Sequence, residues 1–258
     1  MSLRSSVHGV RDGIRAITYD RRGFGHSDQP WMAYDYGTLA NDLAAVMEQT
    51  NARDATLLGF SKGGGEVARY MSRHAGMNVK QAVLVSSVVP YMLKTDTNPV
   101  GVDHVTFDKM AAGIKADRAK FWSSFFKDFY GVGIVSHPTS DEVLERSRGV
   151  ARQASLKATL DCAAAFARTD VRPELAAFNV PTLLIHGTDD QTVPIDCSSR
   201  AAAAGIRNCQ LIEYAGAPHG LFATHKEQLI ADVLRFLQTP AMLPETQASG
   251  MRVDLIHT

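Results

Sequence analysis

The chain has 258 residues, 45% of them hydrophobic, which suits one α/β domain with a full core and argues against disorder. Its 27 basic and 27 acidic residues cancel, and no charge block is long enough to recruit a nucleic acid or another polyanion. No apolar run approaches the roughly 20 residues that span a bilayer, and residues 1–6 lack the apolar core of a signal peptide.

Cys162, Cys197 and Cys209 stand far apart, without the paired spacing of a disulfide framework or a zinc site. They read as small buried apolar residues. A cytoplasmic protein without cofactor or metal is the resulting expectation. No His/Asp/Glu spacing suggests metal ligation.

In chain order, residues 14–19 read as a strand that runs into the turn-rich Arg21-Arg22-Gly23-Phe24-Gly25. Leu39, Leu43, Val46 and Met47 fall at helical spacing. Residues 55–60 form a second strand and 64–74 a helix. Residues 81–86 form a third strand, apolar without alternation, as in a sheet buried on both faces. Strands follow at 181–186 and 210–214, and a last helix at about 224–237. This alternation predicts a mostly parallel sheet flanked by helices.

Residues 90–173 break the pattern. They hold no clear strand but carry Phe107, Phe121, Trp122, Phe125, Phe126, Phe129 and Tyr130, then a helical run through Leu160 to Phe166. The expected organisation is a core from 1–89 and 174–239, a helical cap insertion at 90–173 over the C-terminal edge of the sheet, and a weakly ordered extension at 240–258. Ligands bind at that edge in open α/β sheets.

The most informative stretch is GFSKGGG, residues 59–65. A strand, then Gly-x-Ser-x-Gly, then a helix is the arrangement of a nucleophile elbow, in which the serine occupies a strained turn at the top of the sheet. The glycines avoid clashes with the neighbouring strand and helix, and the helix N-terminus offers N–H groups to a developing oxyanion. A triad further requires an acid and a histidine on later strand ends. Asp190 follows the strand 181–186, and His219 follows the strand 210–214, in the order Ser, Asp, His. Ser61 is therefore expected to attack an acyl carbon, His219 to take its proton, and Asp190 to hold the imidazole. Asp189 reads as a turn residue, His186 as a hydrogen-bonded core residue, and His26, His74 and His225 as loop or helix-surface positions.

These stretches carry a resemblance. YDRRGFGHSDQPW (19–31), GFSKGGGEVARY (59–70), ASLKATLDCAAAFARTD (154–170), VPTLLIHGTDDQTVPID (180–196) and APHGLFATHKEQL (217–229) are similar to the cofactor-free bacterial haloperoxidases. These proteins are also described as perhydrolases and aryl esterases of the α/β-hydrolase superfamily. The resemblance covers about residues 10–238 and implies the same catalytic set, Ser61, Asp190 and His219. It implies a small hydrophobic acyl pocket under a helical cap, and hydrolysis of short-chain or aryl esters. It also implies a perhydrolase side reaction in which hydrogen peroxide replaces water, and self-association. Small-molecule esters and hydrogen peroxide are thus the expected partners, with no nucleic acid and no membrane.

Two departures accompany it. Only some 13 residues precede the strand 14–19, so the first three strands of the superfamily, and the loop giving the second oxyanion donor, are expected to be missing from an N-terminally truncated fold. The Lys62 backbone N–H remains as the first donor. His8-Gly9 fits the end of a helix better than that loop. In the superfamily order the third strand lies between the fourth and fifth, so its loss predicts either a gap or closure of the fourth strand onto the fifth. Buried unpaired backbone groups cost about 1–3 kcal/mol each. The second departure is Lys62, a charged residue where the family commonly has an uncharged one. The alternatives to an esterase are lactone or carbon–carbon bond hydrolysis on the same triad, or a catalytically impaired binding protein.

Overall fold

The computed structural model describes residue 3 and residues 5–9, 13–238 and 253–257. Among the described residues seven strands form one sheet: β1 (Ser5–Gly9), β2 (Ile14–Tyr19), β3 (Ala55–Phe60), β4 (Val79–Val85), β5 (Thr182–Gly187), β6 (Cys209–Tyr214) and β7 (Val253–His257). Their order is β1-β2-β7-β3-β4-β5-β6. Only β1 runs antiparallel, against β2; every other neighbouring pair is parallel.

The unbroken apolar runs of β4 and β5 follow from burial on both faces. Leu84 and Leu184 pack into one core with α1 (Tyr36–Gln49) and α2 (Gly63–Arg73), while Val83, Val85, Leu183 and Ile185 pack into another. α7 (Ser199–Gly205) covers the first face through Ala202. α9 (Lys226–Gln238) covers the second with Val233, Phe236 and Leu237, after the short α8 (Leu221–Thr224). α1 starts where Asp35 accepts the Thr38 N–H at 2.9 Å, and it buries Leu39, Leu43, Val46 and Met47, the residues at helical spacing.

Between β4 and β5 lie four helices without a strand: α3 (His104–Ala116), α4 (Arg118–Tyr130), α5 (Asp141–Gln153) and α6 (Leu156–Arg168). Asp103, Asp117, Ser140 and Ser155 cap their N-termini, each accepting a backbone N–H of the first turn. α4 stops at Gly131, whose left-handed φ of 67° suits glycine.

The structure corrects three expectations about the ends of the sheet. His8 and Gly9 do not end a helix; they belong to β1, opposite Ala16 and Arg15. Residues 253–257 are not part of an extension lying outside the core. They form β7, a full member of the sheet. The expected gap is neither open nor closed by β2 moving against β3, because β7 fills it. β7 pairs with β2 from Ile14↔Val253 to Thr18↔His257 and with β3 from Ala55↔Asp254 to Leu58↔His257. The physical reason is pairing and burial together. Both β2 and β3 would otherwise present unpaired N–H and C=O groups inside the sheet, and Ile256 enters the core in a row with Ile17 and Leu57, all three fully buried.

Candidate active site

β3 ends at Phe60, and Ser61 takes φ +52° before α2 begins at Gly63. That left-handed conformation is uncommon for a residue with a side chain and is paid for by surrounding structure. Here the Ser61 N–H donates to the Val85 carbonyl at 2.9 Å, and its own carbonyl accepts from Gly64 and Val88. A Cβ on Gly59 would come within 2.7 Å of the Gly63 and Gly64 backbone, and one on Gly64 within 1.9 Å of Ser87 Oγ. The glycines are therefore required by close approach of the turn, α2 and the β4 loop. The Lys62 N–H, at the start of α2, makes no backbone hydrogen bond.

α2 is pinned to the end of β2. Glu66, fully buried in its first turn, accepts a hydrogen bond from Tyr19 Oη and an ion-paired one from Arg21 Nε at 2.6 Å. Burial pushes the Tyr19 pKa up, and the Glu66 charge adds to that.

Asp190 lies on the loop after β5 and His219 on the loop after β6, both buried. His219 Nδ1 donates to Asp190 Oδ2 at 2.6 Å. Asp190 Oδ1 accepts the Thr192 and Val193 N–H groups at 2.9 and 2.7 Å. Burial is the largest influence on this carboxyl and pushes its pKa up. His219 and His186 outweigh it and hold the pKa at about 2. An ionised Asp190 fixes the proton of His219 on Nδ1. Nε2 is then a free acceptor; it is buried, lacks a hydrogen-bond partner, and His219 lines the same cavity as Ser61.

The family model described as alpha/beta hydrolase fold matches residues 7–226. A non-heme chloroperoxidase of Streptomyces lividans is 40% identical over 228 residues, covering 88% of this chain and 83% of the relative. A bifunctional esterase/perhydrolase of Acinetobacter calcoaceticus is 36% identical over 231 residues, covering 89% and 84%. The crystal structure of a bromoperoxidase from Bacillus anthracis superposes with a TM-score of 0.88 at 36% identity, covering 92% of this chain and 95% of that one.

The chain belongs to the α/β-hydrolase family. Its relatives place it with the non-heme haloperoxidases and perhydrolases, and it is a hydrolase.

The cavity of this hydrolase measures about 260 Å³ and lies between the sheet edge and α3–α6. Trp122, Phe125, Phe129 and Phe166 line it. Of the other aromatic residues of segment 90–173, Phe107 packs on Phe166 with ring centroids 6.0 Å apart, Phe121 stacks on Phe125 at 5.7 Å, and Phe126 and Tyr130 border a second cavity of about 830 Å³. Ring contact and helix-face geometry make this partition; aromatic content in the sequence does not.

Three supports of His219 carried no sequence signal. Phe60 and Phe129 flank its ring with centroids 5.1 and 4.7 Å away. Ser86 Oγ donates to the His219 carbonyl at 3.0 Å, and the Gly220 N–H donates to the Phe129 carbonyl at 2.8 Å. α4 thus fastens the loop that carries the imidazole. His186 is the fully buried, hydrogen-bonded core residue expected from its place in the strand, and it does more. Its Nε2 lies 3.1 Å from Asp190 Oδ2 and 2.9 Å from the Val193 carbonyl, while Nδ1 is 2.7 Å from Ser199 Oγ. Two acceptors at Nε2 place the proton there, so Nε2 donates to the Val193 carbonyl while its N–H dipole sits beside the Asp190 carboxylate. Asp189 is exposed and accepts from Gln191, as a turn residue does. Among the described residues no group of His, Cys, Asp and Glu is placed to hold a metal ion, and no helix is long and apolar enough to cross a membrane.

Proposed function

We propose that this hydrolase cleaves carboxylic esters through an acyl-enzyme on Ser61, with short-chain or aryl acyl groups as substrates. The observation that carries this reading is the buried, unpartnered Nε2 of His219, held through Nδ1 by an ionised Asp190 and opening on the cavity that Ser61 lines. In the first step His219 Nε2 accepts the Ser61 proton while Oγ attacks the acyl carbon. Asp190 stabilises the resulting imidazolium. The free Lys62 N–H at the start of α2 is assigned as an oxyanion donor. Collapse breaks the ester bond, and His219 returns the proton to the leaving alcohol. Water, deprotonated by His219, then attacks the acyl carbon, releasing the acid and restoring Ser61.

Perhydrolysis uses the same second half-reaction. Hydrogen peroxide attacks in place of water, the acyl–Oγ bond breaks, the acyl group leaves as a peracid, and Ser61 recovers its proton from His219. The names of the relatives, chloroperoxidase and esterase/perhydrolase, favour this pairing of activities. The small apolar aromatic cavity favours short or aryl acyl groups.

The test is p-nitrophenyl acetate hydrolysis by the chain and by its Ser61→Ala form. A loss of about 10⁴-fold or more is expected, together with labelling of Ser61 by a fluorophosphonate, located by peptide mass. Equal rates in the two proteins would refute the reading. Peracid formation from acetate and peroxide, followed by bromide oxidation, is expected to vanish in the same variant.

A further inference from the structure

The proposed reaction uses the backbone of Lys62 but not its side chain. Lys62 is among the residues that line the cavity beside Ser61, whose walls are mostly carbon. Its Nζ is closed off from solvent and has no hydrogen-bond partner. It lies 5.1 Å from the centre of the Tyr36 ring, over its face. The nearby Cys162 thiol favours its charge without forming a hydrogen bond in the structure. The Glu66 carboxylate also favours the charge, but both of its oxygens already serve Tyr19 and Arg21. Burial pushes the Lys62 pKa down, the Cys162 thiol only partly offsets that, and the Arg21 charge adds to the depression.

A buried amine with three donors and no acceptor is costly to keep in either protonation state. The ring face of Tyr36 offsets only part of that cost. A ligand entering the cavity with an anionic oxygen supplies the missing partner, and a charge-assisted hydrogen bond inside an apolar cavity is among the stronger polar contacts. An ester with a purely aliphatic acyl chain leaves the amine as it is.

We infer that Lys62 Nζ is a specificity group for a free carboxylate on the substrate, so that the preferred esters are half-esters of dicarboxylic acids. This rests on the esterase reading above and names the substrate class of that site. The carboxylate takes the place of the absent counter-ion, and the acyl chain between the two carboxyl groups fills the aromatic part of the cavity.

The experiment compares monomethyl glutarate and monomethyl adipate with methyl pentanoate and methyl hexanoate by pH-stat, reading the ratio of kcat/KM within each chain-length pair. The ratio cancels any effect of a substitution on the shared oxyanion step. For at least one pair, Lys62→Met is expected to lower the half-ester ratio by about 10–100-fold, the loss of one charge-assisted bond. Lys62→Gln, which keeps a donor but no charge, is expected to fall between the two. A ratio within about threefold of wild type in both variants overturns the inference, because that is below the loss of one such bond. Calorimetry provides an arm that needs no turnover. Monomethyl adipate is expected to bind Ser61→Ala and to lose that binding in Ser61→Ala/Lys62→Met; equal binding to both overturns the inference as well. If Ser61→Ala leaves p-nitrophenyl acetate hydrolysis intact, the esterase reading fails, and the calorimetric comparison still decides whether Lys62 binds a carboxylate.

Discussion

Replacing Ile256 by alanine tests how the sheet is built. Ile256 is fully buried, with Ile17 of β2 on one side and fully buried Leu57 of β3 on the other. A strand paired on both edges has little freedom to move into the space left by the lost carbons. The cost is therefore expected in the usual range for a buried Ile→Ala change, about 2–5 kcal/mol. Against a total stability of about 5–15 kcal/mol, that is a large fraction. For a chain of this size it corresponds to a fall in Tm of roughly 5–15 °C. Urea unfolding followed by circular dichroism should show a lower midpoint at unchanged slope, since the surface exposed on unfolding stays the same. Leu57→Ala serves as the internal standard, because its neighbour β4 holds β3 in the sheet whatever β7 does. Leu255→Ala, half-buried on the other face, should cost less. If Ile256→Ala stays within about 0.5 kcal/mol of wild type while Leu57→Ala shows its full cost, β7 does not complete the sheet and the argument fails.

Asp190→Asn is expected to lower kcat/KM by about 10³–10⁴-fold with little change in KM, because an amide leaves the His219 tautomer unfixed; steady-state rates on p-nitrophenyl acetate check this. The same carboxyl makes stability depend on acid. Its folded pKa of about 2 lies below the ordinary 3.8, so its contribution of about 2 kcal/mol is present above pH 3.8 and lost as pH falls through the folded value. Urea midpoints measured from neutral pH downward should therefore fall less steeply in Asp190→Asn than in wild type. Gly64→Ala is expected to destabilise by about 1–3 kcal/mol through its clash with Ser87 Oγ, and Ser87→Gly in the same chain should recover part of the loss; a double-mutant cycle of melting temperatures measures the coupling.

Short-range chemistry made much of this protein legible. β2 and β3 begin and end where their apolar runs do, and the helix spacing of α1 identifies its buried face. The turn Gly59-Phe60-Ser61 announces its own strain, because glycines are needed where backbones approach within contact distance. The order Ser61, Asp190, His219, each just past a strand end, was enough to name residues that the fold then brings to one edge, with Asp190 and His219 in contact. Local pattern carries this information because strand ends in a parallel sheet share one edge by construction.

Four features were decided only by the tertiary structure, through contacts that the local pattern does not display. β7 lies in what the sequence presents as a weakly ordered extension; its place follows from the unpaired edges of β2 and β3, which no local pattern displays. His186 comes to lie beside Asp190 because β5 and its loop fold back on each other around one carboxylate, and Phe60 and Phe129, in edge contact with each other, both pack against the His219 ring. The burial of Lys62 Nζ against Tyr36 and Cys162 depends on α1, α2 and α6 meeting at one wall. Sequence identifies which atoms can react, whereas three-dimensional packing sets their solvation and partners, and therefore which of them hold a charge, a proton or an unsatisfied bond.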